Sequence, residues 1–190
     1  DAGDVLTQRP GFSSIKKSGT YGFDPVFRGF KWEQINLLND GALTAHAACP
    51  NRMDPPASQV MINQVEKIEV FKGPHNFRFG PSTGAVINFK TQSPEFVIKP
   101  VFSGRMTMGT ESNGSVFRTE GVIGIKTKKL NLSLAESYST GSDYKDGNDS
   151  IIPAKFNRNA VNLNASFLIK ENQTASISVT KNSTKNTDFP

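Results

Sequence analysis

The chain has 190 residues, of which 36% are hydrophobic, and its mean hydropathy is −0.40. No stretch approaches the about 20 apolar residues that a membrane-spanning helix needs, and no signal peptide is visible. The net charge of +5 is spread along the chain among 17 acidic residues, without a basic stripe, so we expect no nucleic-acid partner. The only cysteine, Cys49, excludes an internal disulfide.

The first 92 residues mix short apolar runs with many glycines and prolines. Residues 65–71 alternate loosely and are expected to form a strand that ends at Gly73 and Pro74. A glycine-rich turn over residues 80–84 then leads into a second short strand at residues 85–90. This pattern predicts a small α+β domain with long loops.

The pattern changes near residue 92 to a period of two, which is looser in residues 117–125 than in the segments that follow. Four segments carry Leu, Val, Ile or Phe on one face and Asn, Ser, Thr or charge on the other: 117–125, 130–134, 161–167 and 175–180. Short links at 127–129 and 170–173 enclose a long polar loop at about 139–155. Alternating strands with short turns on one side and long loops on the other are typical of an outer-membrane barrel. A soluble antiparallel sandwich alternates in the same way, and periodicity alone does not separate the two.

Five segments of the first half resemble, in order, the plug motifs of TonB-dependent outer-membrane receptors. They are Asp1–Leu6 with Arg9–Phe12, the "RG" strand at Phe27–Phe30, the "LxDG" turn at Leu37–Gly41, the "IERIEVLKGP" signature at Val65–Pro74, and "YG…GGVIN" at Phe79–Gly80 with Gly84–Asn88.

The resemblance implies an α+β plug domain over residues 1–92, followed by antiparallel β-strands of an incomplete transmembrane β-barrel. Residues 93–190 would supply about its first five strands. It also implies a bacterial outer-membrane location, contact with outer-membrane lipid, and energy from the TonB protein. TonB would grip an N-terminal box that we expect to lie before Asp1 or to be missing. Both ends of the chain look cut, and an open sheet edge is not tolerated in lipid.

Some plug residues have a physical interpretation as well. Gly41, Gly73 and Gly84 stand where tight turns need a permissive backbone. Arg28 and Glu69 are candidates for charged contacts that hold the plug inside a polar lumen. Such contacts are structural and need not touch a substrate.

The segment from His46 to Pro56 carries the candidate metal ligands. Cys49 and Met53 are four residues apart, so a helical turn that starts at Pro50 would place both sulfurs on one face. A thiolate beside a thioether is a soft pair, and soft sulfur ligands select Cu(I). His46 could add an imidazole. The alternative is that the Cys49 side chain binds no metal and packs as a small hydrophobic group, as free cysteines commonly do.

The same segment indicates a subfamily. Residues 49–56, read as "CPNRMDPP", resemble the plug segment of TonB-dependent copper receptors, in which the matching cysteine and methionine bind copper. Asp143–Asn148 resembles an early extracellular loop of that subfamily. The resemblance therefore implies copper as cargo, with Cys49 and Met53 as metal ligands and further ligands outside this chain. His46 has no counterpart in the resemblance and is a candidate metal ligand because it lies three residues before Cys49.

Two alternatives remain open. A receptor for a ferric siderophore or another metal complex would carry aromatic residues and arginines on its outward plug loops. A thiol enzyme would use Cys49 as a nucleophile and His46 as its base, but the chain lacks HExxH, GxSxG and a phosphate-binding glycine loop, so we expect no enzyme. Three further residues are weaker metal candidates: His75, which would face solvent in a loop, and Met106 and Met108, which share a strand face and are expected to pack.

Overall fold

The computed structural model describes residues 2–18, 22–43 and 55–188, which form a four-stranded sheet, a five-stranded sheet and two separate two-stranded hairpins. The N-terminal elements are helix α1 (Ala2–Thr7) and strands β1 (Phe12–Ser18), β2 (Gly22–Phe27), β3 (Ile35–Asn39), β4 (Ala42–Leu43), β5 (Val65–Lys72) and β6 (Ala85–Thr91). Short 3₁₀ turns lie at Trp32–Gln34, Pro56–Gln59, Ile62–Gln64 and Phe77–Phe79. No helix in these ranges is long and apolar enough to cross a membrane.

The C-terminal elements are strands joined in sequence order. They are β7 (Val101–Glu111), β8 (Val116–Lys126), β9 (Leu130–Gly141), β10 (Tyr144–Lys145), β11 (Ile151–Ile152), β12 (Phe156–Lys170) and β13 (Gln173–Lys185).

The N-terminal unit is built around a mixed sheet, the small sheet, with strand order β4-β3-β6-β5. Strand β6 pairs parallel with β3 and antiparallel with β5, and its residues 85–89 are all buried. Helix α1 and the end of the β1–β2 hairpin cover this sheet. Their contribution to the core consists of Ala2, Leu6 and Phe27, which pack with Ile35, Leu37, Ile87 and Phe89. The predicted strands at 65–71 and 85–90 both lie in this sheet.

Two glycine and turn predictions need correction. The "RG" segment is a tight turn, because Phe27 ends β2 and Arg28 and Gly29 have φ of 50° and 85°. Gly41 and Gly73 do have positive φ, as expected, but Gly84 does not. Gly84 is required by close approach instead, since an added Cβ would lie 2.4 Å from the Cβ of Phe30.

The five long C-terminal strands form one antiparallel sheet, the wall sheet, with order β7-β8-β9-β12-β13. Residues 127–129 and 171–172 make the short turns at one end of this sheet, at the places that the sequence predicts. Residues 112–115 make a third short turn, between β7 and β8 at the opposite end. The long connection between β9 and β12 is shorter than expected, because β9 continues to Gly141. It also contains the small hairpin β10–β11.

The two faces of the wall sheet differ in chemistry. One register row aligns Ile123, Leu134, Leu163 and Val179, and all four side chains are exposed. The next row on the opposite face aligns Gly124, Ser133, Asn164 and Ser178, which face the N-terminal unit. The fold class predicted from the sequence is thus confirmed: an α+β unit is followed by antiparallel strands with an apolar outer and a polar inner face.

Candidate functional site

The candidate metal ligands His46, Cys49 and Met53 lie outside the described residues, so their geometry stays a prediction. Among the residues that the structure does describe, no group of three or more His, Cys, Asp or Glu side chains could hold a metal ion. The described residues that follow this segment begin at Pro55.

Residues 55–64 follow the candidate metal segment and form a largely buried stretch, which we call the connecting segment. Pro55 and Pro56 are fully buried, and Ala57 is part of the core under α1. Met61, only 6% exposed, packs against Ala135 and Ala160 on the inner face of the wall sheet. The connecting segment therefore contacts the N-terminal core at one end and the wall sheet at the other.

Asn63 makes four hydrogen bonds from the connecting segment to strands β7 and β8 of the wall sheet. Its backbone N–H donates to the carboxylate of Glu120, and its backbone C=O accepts from the guanidinium of Arg105 at 2.6 Å. Its side-chain amide donates to Thr107 Oγ1 and to the backbone C=O of Glu120, both at 2.9 Å. The neighbouring Gln64 amide donates to Asn162 Oδ1 at 2.7 Å.

Sequence reasoning missed this contact. The charged residues that the sequence suggests for it, Arg28 and Glu69, make their described contacts inside the N-terminal unit. The Arg28 guanidinium lies 5.2 Å from the Phe27 ring centroid, and Glu69 pairs with Lys67 at 2.9 Å and accepts from the Asn88 amide. The hydrogen bond from the Lys67 ammonium lowers the pKa of Glu69, and the same contact raises the pKa of Lys67. The only available sequence signal was the run of amide side chains at 63–64, which is weak.

A cavity of about 740 Å³ lies between the small sheet and the wall sheet, at the end of the small sheet where β5 begins (Val65) and β6 ends (Thr91). Its wall side includes seven residues with hydroxyl or amide side chains: Ser103, Asn131, Ser133, Asn164, Ser166, Ser176 and Ser178. The charged residues Arg105 and Lys126 and several apolar residues, among them Val122, line it as well. No Cys, Met or His occurs among the described residues that line it. Such a surface suits water and hydrated solutes, and it offers no soft ligand for Cu(I).

A smaller cavity of about 240 Å³ lies beside the connecting segment, at Ser58. Its polar lining on the wall side includes Ser137, Ser139, Arg118 and Arg158, and Arg118 also pairs with Glu111. Ser58 is four residues from Asp54, so this cavity is close along the chain to the candidate metal segment.

The opposite end of the small sheet presents aromatic side chains, which we call the aromatic end: Phe30, Trp32, Phe71, Phe77 and Phe79. Phe77 is the most exposed, at 82%. Cations accompany these rings. Lys31 Nζ lies 4.4 Å and Lys17 Nζ 5.3 Å from the Trp32 ring centroid, and the Arg78 guanidinium lies 5.3 Å from that of Phe79. His75, which precedes Phe77 in the loop after β5, is exposed, as predicted.

The orientation of the aromatic end follows from two contacts. Strand β6 starts at the aromatic end and runs away from it toward Gln92. The chain then reaches the short turn at 127–129 of the wall sheet, where the Val97 N–H donates to the Thr127 C=O. The aromatic end itself is near the long loop between β9 and β12. Lys16, the neighbour of the Lys17 that contacts Trp32, has its Nζ 4.6 Å from the ring centroid of Tyr144 in that loop. The aromatic end thus lies on the long-loop side of the molecule.

Met106 and Met108 do not point into the space between the two units, although Met108 borders the smaller cavity beside the connecting segment. They alternate with Arg105 and Thr107, which contact Asn63, so their side chains lie on the outer face of β7, about two-thirds exposed. The packing expected for them is not found in the described part of the chain.

Comparison with known proteins extends this picture. Residues 1–86 match the family described as the TonB-dependent receptor plug domain. No match is found among curated proteins.

Solved structures of receptors and transporters superpose on nearly the whole chain. The copper transporter OprC matches with a TM-score of 0.87 and 25% identity over 100% of this chain. The siderophore receptor PirA from Acinetobacter baumannii matches with a TM-score of 0.71 and 20% identity over 97%. The pyoverdine receptor FpvA from Pseudomonas aeruginosa PAO1 matches with a TM-score of 0.65 and 17% identity over 98%. This chain spans only 29%, 29% and 26% of those three chains, respectively.

Proposed function

Because residues 1–86 are a plug domain of TonB-dependent receptors, which are outer-membrane proteins of Gram-negative bacteria, we propose that this chain belongs to a receptor that takes up copper. In this proposal residues 1–92 are the plug, and residues 93–190 are the first five strands of the barrel wall around it. The partners are outer-membrane lipid on the apolar outer face and the TonB protein as the source of energy. The function needs reversible binding and movement, and no catalytic step.

The copper assignment depends on one observation, the soft pair Cys49 and Met53 in the stretch "CPNRMDPP". A thiolate and a thioether prefer Cu(I) to hard ions, and a helical turn that starts at Pro50 would bring residues four apart to one face. His46 is proposed as a third, weaker ligand. The likeness to a copper transporter, at a higher TM-score and identity than the two siderophore receptors, supports the same cargo.

A specific observation favours a second candidate, uptake of a ferric siderophore or another anionic metal complex. The aromatic end combines exposed rings with lysine and arginine on the long-loop side, as this alternative predicts. Rings and cations together suit planar, negatively charged ligands. Receptors for such ligands are among the structural neighbours, although their identities of 17–20% support the shared fold alone.

The metal content of the purified complete receptor tests the copper proposal. After growth with added copper, the wild type should hold about one copper per chain, and Cys49→Ser should lose most of it, because serine keeps the size but not the soft donor. Met53→Ala should lose less, since a thiolate is the stronger donor. Equal copper in the wild type and Cys49→Ser would show that the cysteine only packs.

The second candidate has its own test at the aromatic end. Replacing both Phe77 and Arg78 with alanine should lower binding of an aromatic ferric siderophore by about tenfold if that cargo is correct, which corresponds to about 1.4 kcal/mol. The double substitution should leave copper content unchanged. Thr83→Ala, an exposed change in the following turn, is the matched control.

A further inference from the structure

The outer face of the wall sheet changes from apolar to polar toward the long-loop side. The row that contains Leu134, Leu163 and Val179 is apolar on every strand. The next outer row on strands β9, β12 and β13 mixes apolar and charged side chains: Glu136, Val161 and Lys181. The two rows beyond it on the same strands hold polar side chains alone: Tyr138, Asn159 and Ser183, then Thr140, Asn157 and Lys185.

The spacing of the rows places this change at the outer leaflet of the membrane. Aromatic residues mark both borders of a barrel's apolar band, and here Phe167 stands at the short-turn border and Tyr138 at the long-loop border. Asn159, the strand partner of Tyr138, is eight residues from Phe167. That is roughly 26 Å along the strand, or about 20 Å across a membrane at a tilt of about 40°, close to the usual band height. Lys181 therefore lies one row inside the outer border, and Lys185 one row outside it.

The two lysines are cations without an ion-pair partner in the described part of the chain. Both are exposed, and neither ammonium group forms a salt bridge with a described residue. Glu136, the one acidic side chain in these rows, lies two strands from Lys181 and accepts from the Asn159 amide at 3.4 Å. A lysine at the edge of the hydrocarbon extends its ammonium group to the head groups, where an anionic lipid stabilises it.

We propose that Lys181 and Lys185 bind the phosphate groups of lipid A, the acylated and phosphorylated disaccharide of the outer leaflet. Its acyl chains then lie on the apolar row below, against Leu163 and Val179. A lipid fits better than a free anion, because the cations continue directly into this apolar surface. The inference rests on the part of the proposed function that turns the outer face toward lipid, and it is independent of the cargo.

Binding of bisphosphorylated lipid A to the complete receptor in detergent, measured by native mass spectrometry, tests the proposal. The double substitution of Lys181→Gln with Lys185→Gln should weaken binding by about tenfold or more, because each lysine near an anionic lipid surface contributes roughly fivefold. Dephosphorylated lipid A should bind the wild type and the double variant alike, since it lacks the groups that the lysines contact.

Lys128→Gln with Lys129→Gln is the matched control. It makes the same change in net charge at two exposed lysines, but these lie in the short turn at the opposite border of the apolar band. Wild-type affinity for lipid A is expected in this pair.

Three results would overturn the inference. The first is unchanged affinity for lipid A in the double variant, and the second is an equal loss in the control pair. The third is displacement of lipid A by millimolar inorganic phosphate, which would show that the lysines bind a free anion. If the outer face does not meet lipid at all, Leu163→Trp would also escape quenching by brominated lipids, so the two failures can be told apart. The copper content of the receptor is unaffected by any of these outcomes.

Discussion

Replacement of Leu163 with arginine is expected to destabilise the receptor in a membrane by about 2–4 kcal/mol, the range for a cation on the lipid face of a barrel near the midplane. Leu163 lies on the outer face of β12, between Leu134 and Val179 in the same register row. All three side chains are exposed in the described part of the chain and are apolar, so an arginine here would have hydrocarbon as its surroundings. Urea titration of the receptor refolded into lipid vesicles measures the change.

Asn164→Arg is the matched control, one residue further along the same strand. Its side chain faces the 740 Å³ cavity, where water can hydrate a guanidinium, so we expect a much smaller effect. Tryptophan at the two positions gives a second measurement. Lipids with brominated acyl chains should quench Leu163→Trp strongly and Asn164→Trp weakly. Equal quenching at both positions would contradict the assignment of the outer face to lipid.

Gly84→Ala is expected to destabilise the plug by about 1–3 kcal/mol, as over-packing of a well-filled site commonly does. The new Cβ would lie 2.4 Å from the Cβ and 2.6 Å from the Cγ of Phe30. Phe30 cannot easily withdraw, since its backbone is tied to Phe27 by two hydrogen bonds of 2.9 and 3.0 Å. Gly84 itself is tied on both sides, because its N–H donates to the Gln34 C=O and its C=O accepts from Gly73, both at 2.8 Å.

Hydrogen exchange of the β6 amides measures this effect, because local opening of the small sheet exposes them. The control is Gly147→Ala, a glycine with no neighbour within 4 Å of an added Cβ and no positive φ, for which we expect a change within about 0.5 kcal/mol. Unchanged protection of β6 in Gly84→Ala would mean that Phe30 moves aside without loss, and that the close approach is not a constraint.

The period of two and the placement of turn residues were sufficient to predict much of this fold. Alternation along a strand assigns each side chain to one of two faces, so residues 130–134 and 161–167 already separate an apolar from a polar face. The sequence could not separate a membrane wall from a sandwich by this means, because both have one apolar face. The plug motifs decided that question, since they are local sequence patterns with a fixed order.

The contacts between the plug and the wall were determined only by the tertiary structure. Asn63 meets Arg105 and Glu120 across 42 and 57 residues of sequence, and an amide beside a short turn carries no signal of such a partner. The same holds for Gly84, whose role depends on a phenylalanine 54 positions earlier that folds over it. Strand faces and the short turns of the wall sheet are set by neighbours in the chain, and the sequence by itself determined them. The soft donors Cys49 and Met53 stay a prediction from the sequence. Contacts between distant segments depend on how two sheets pack, and only the folded chain decides which side chains then meet.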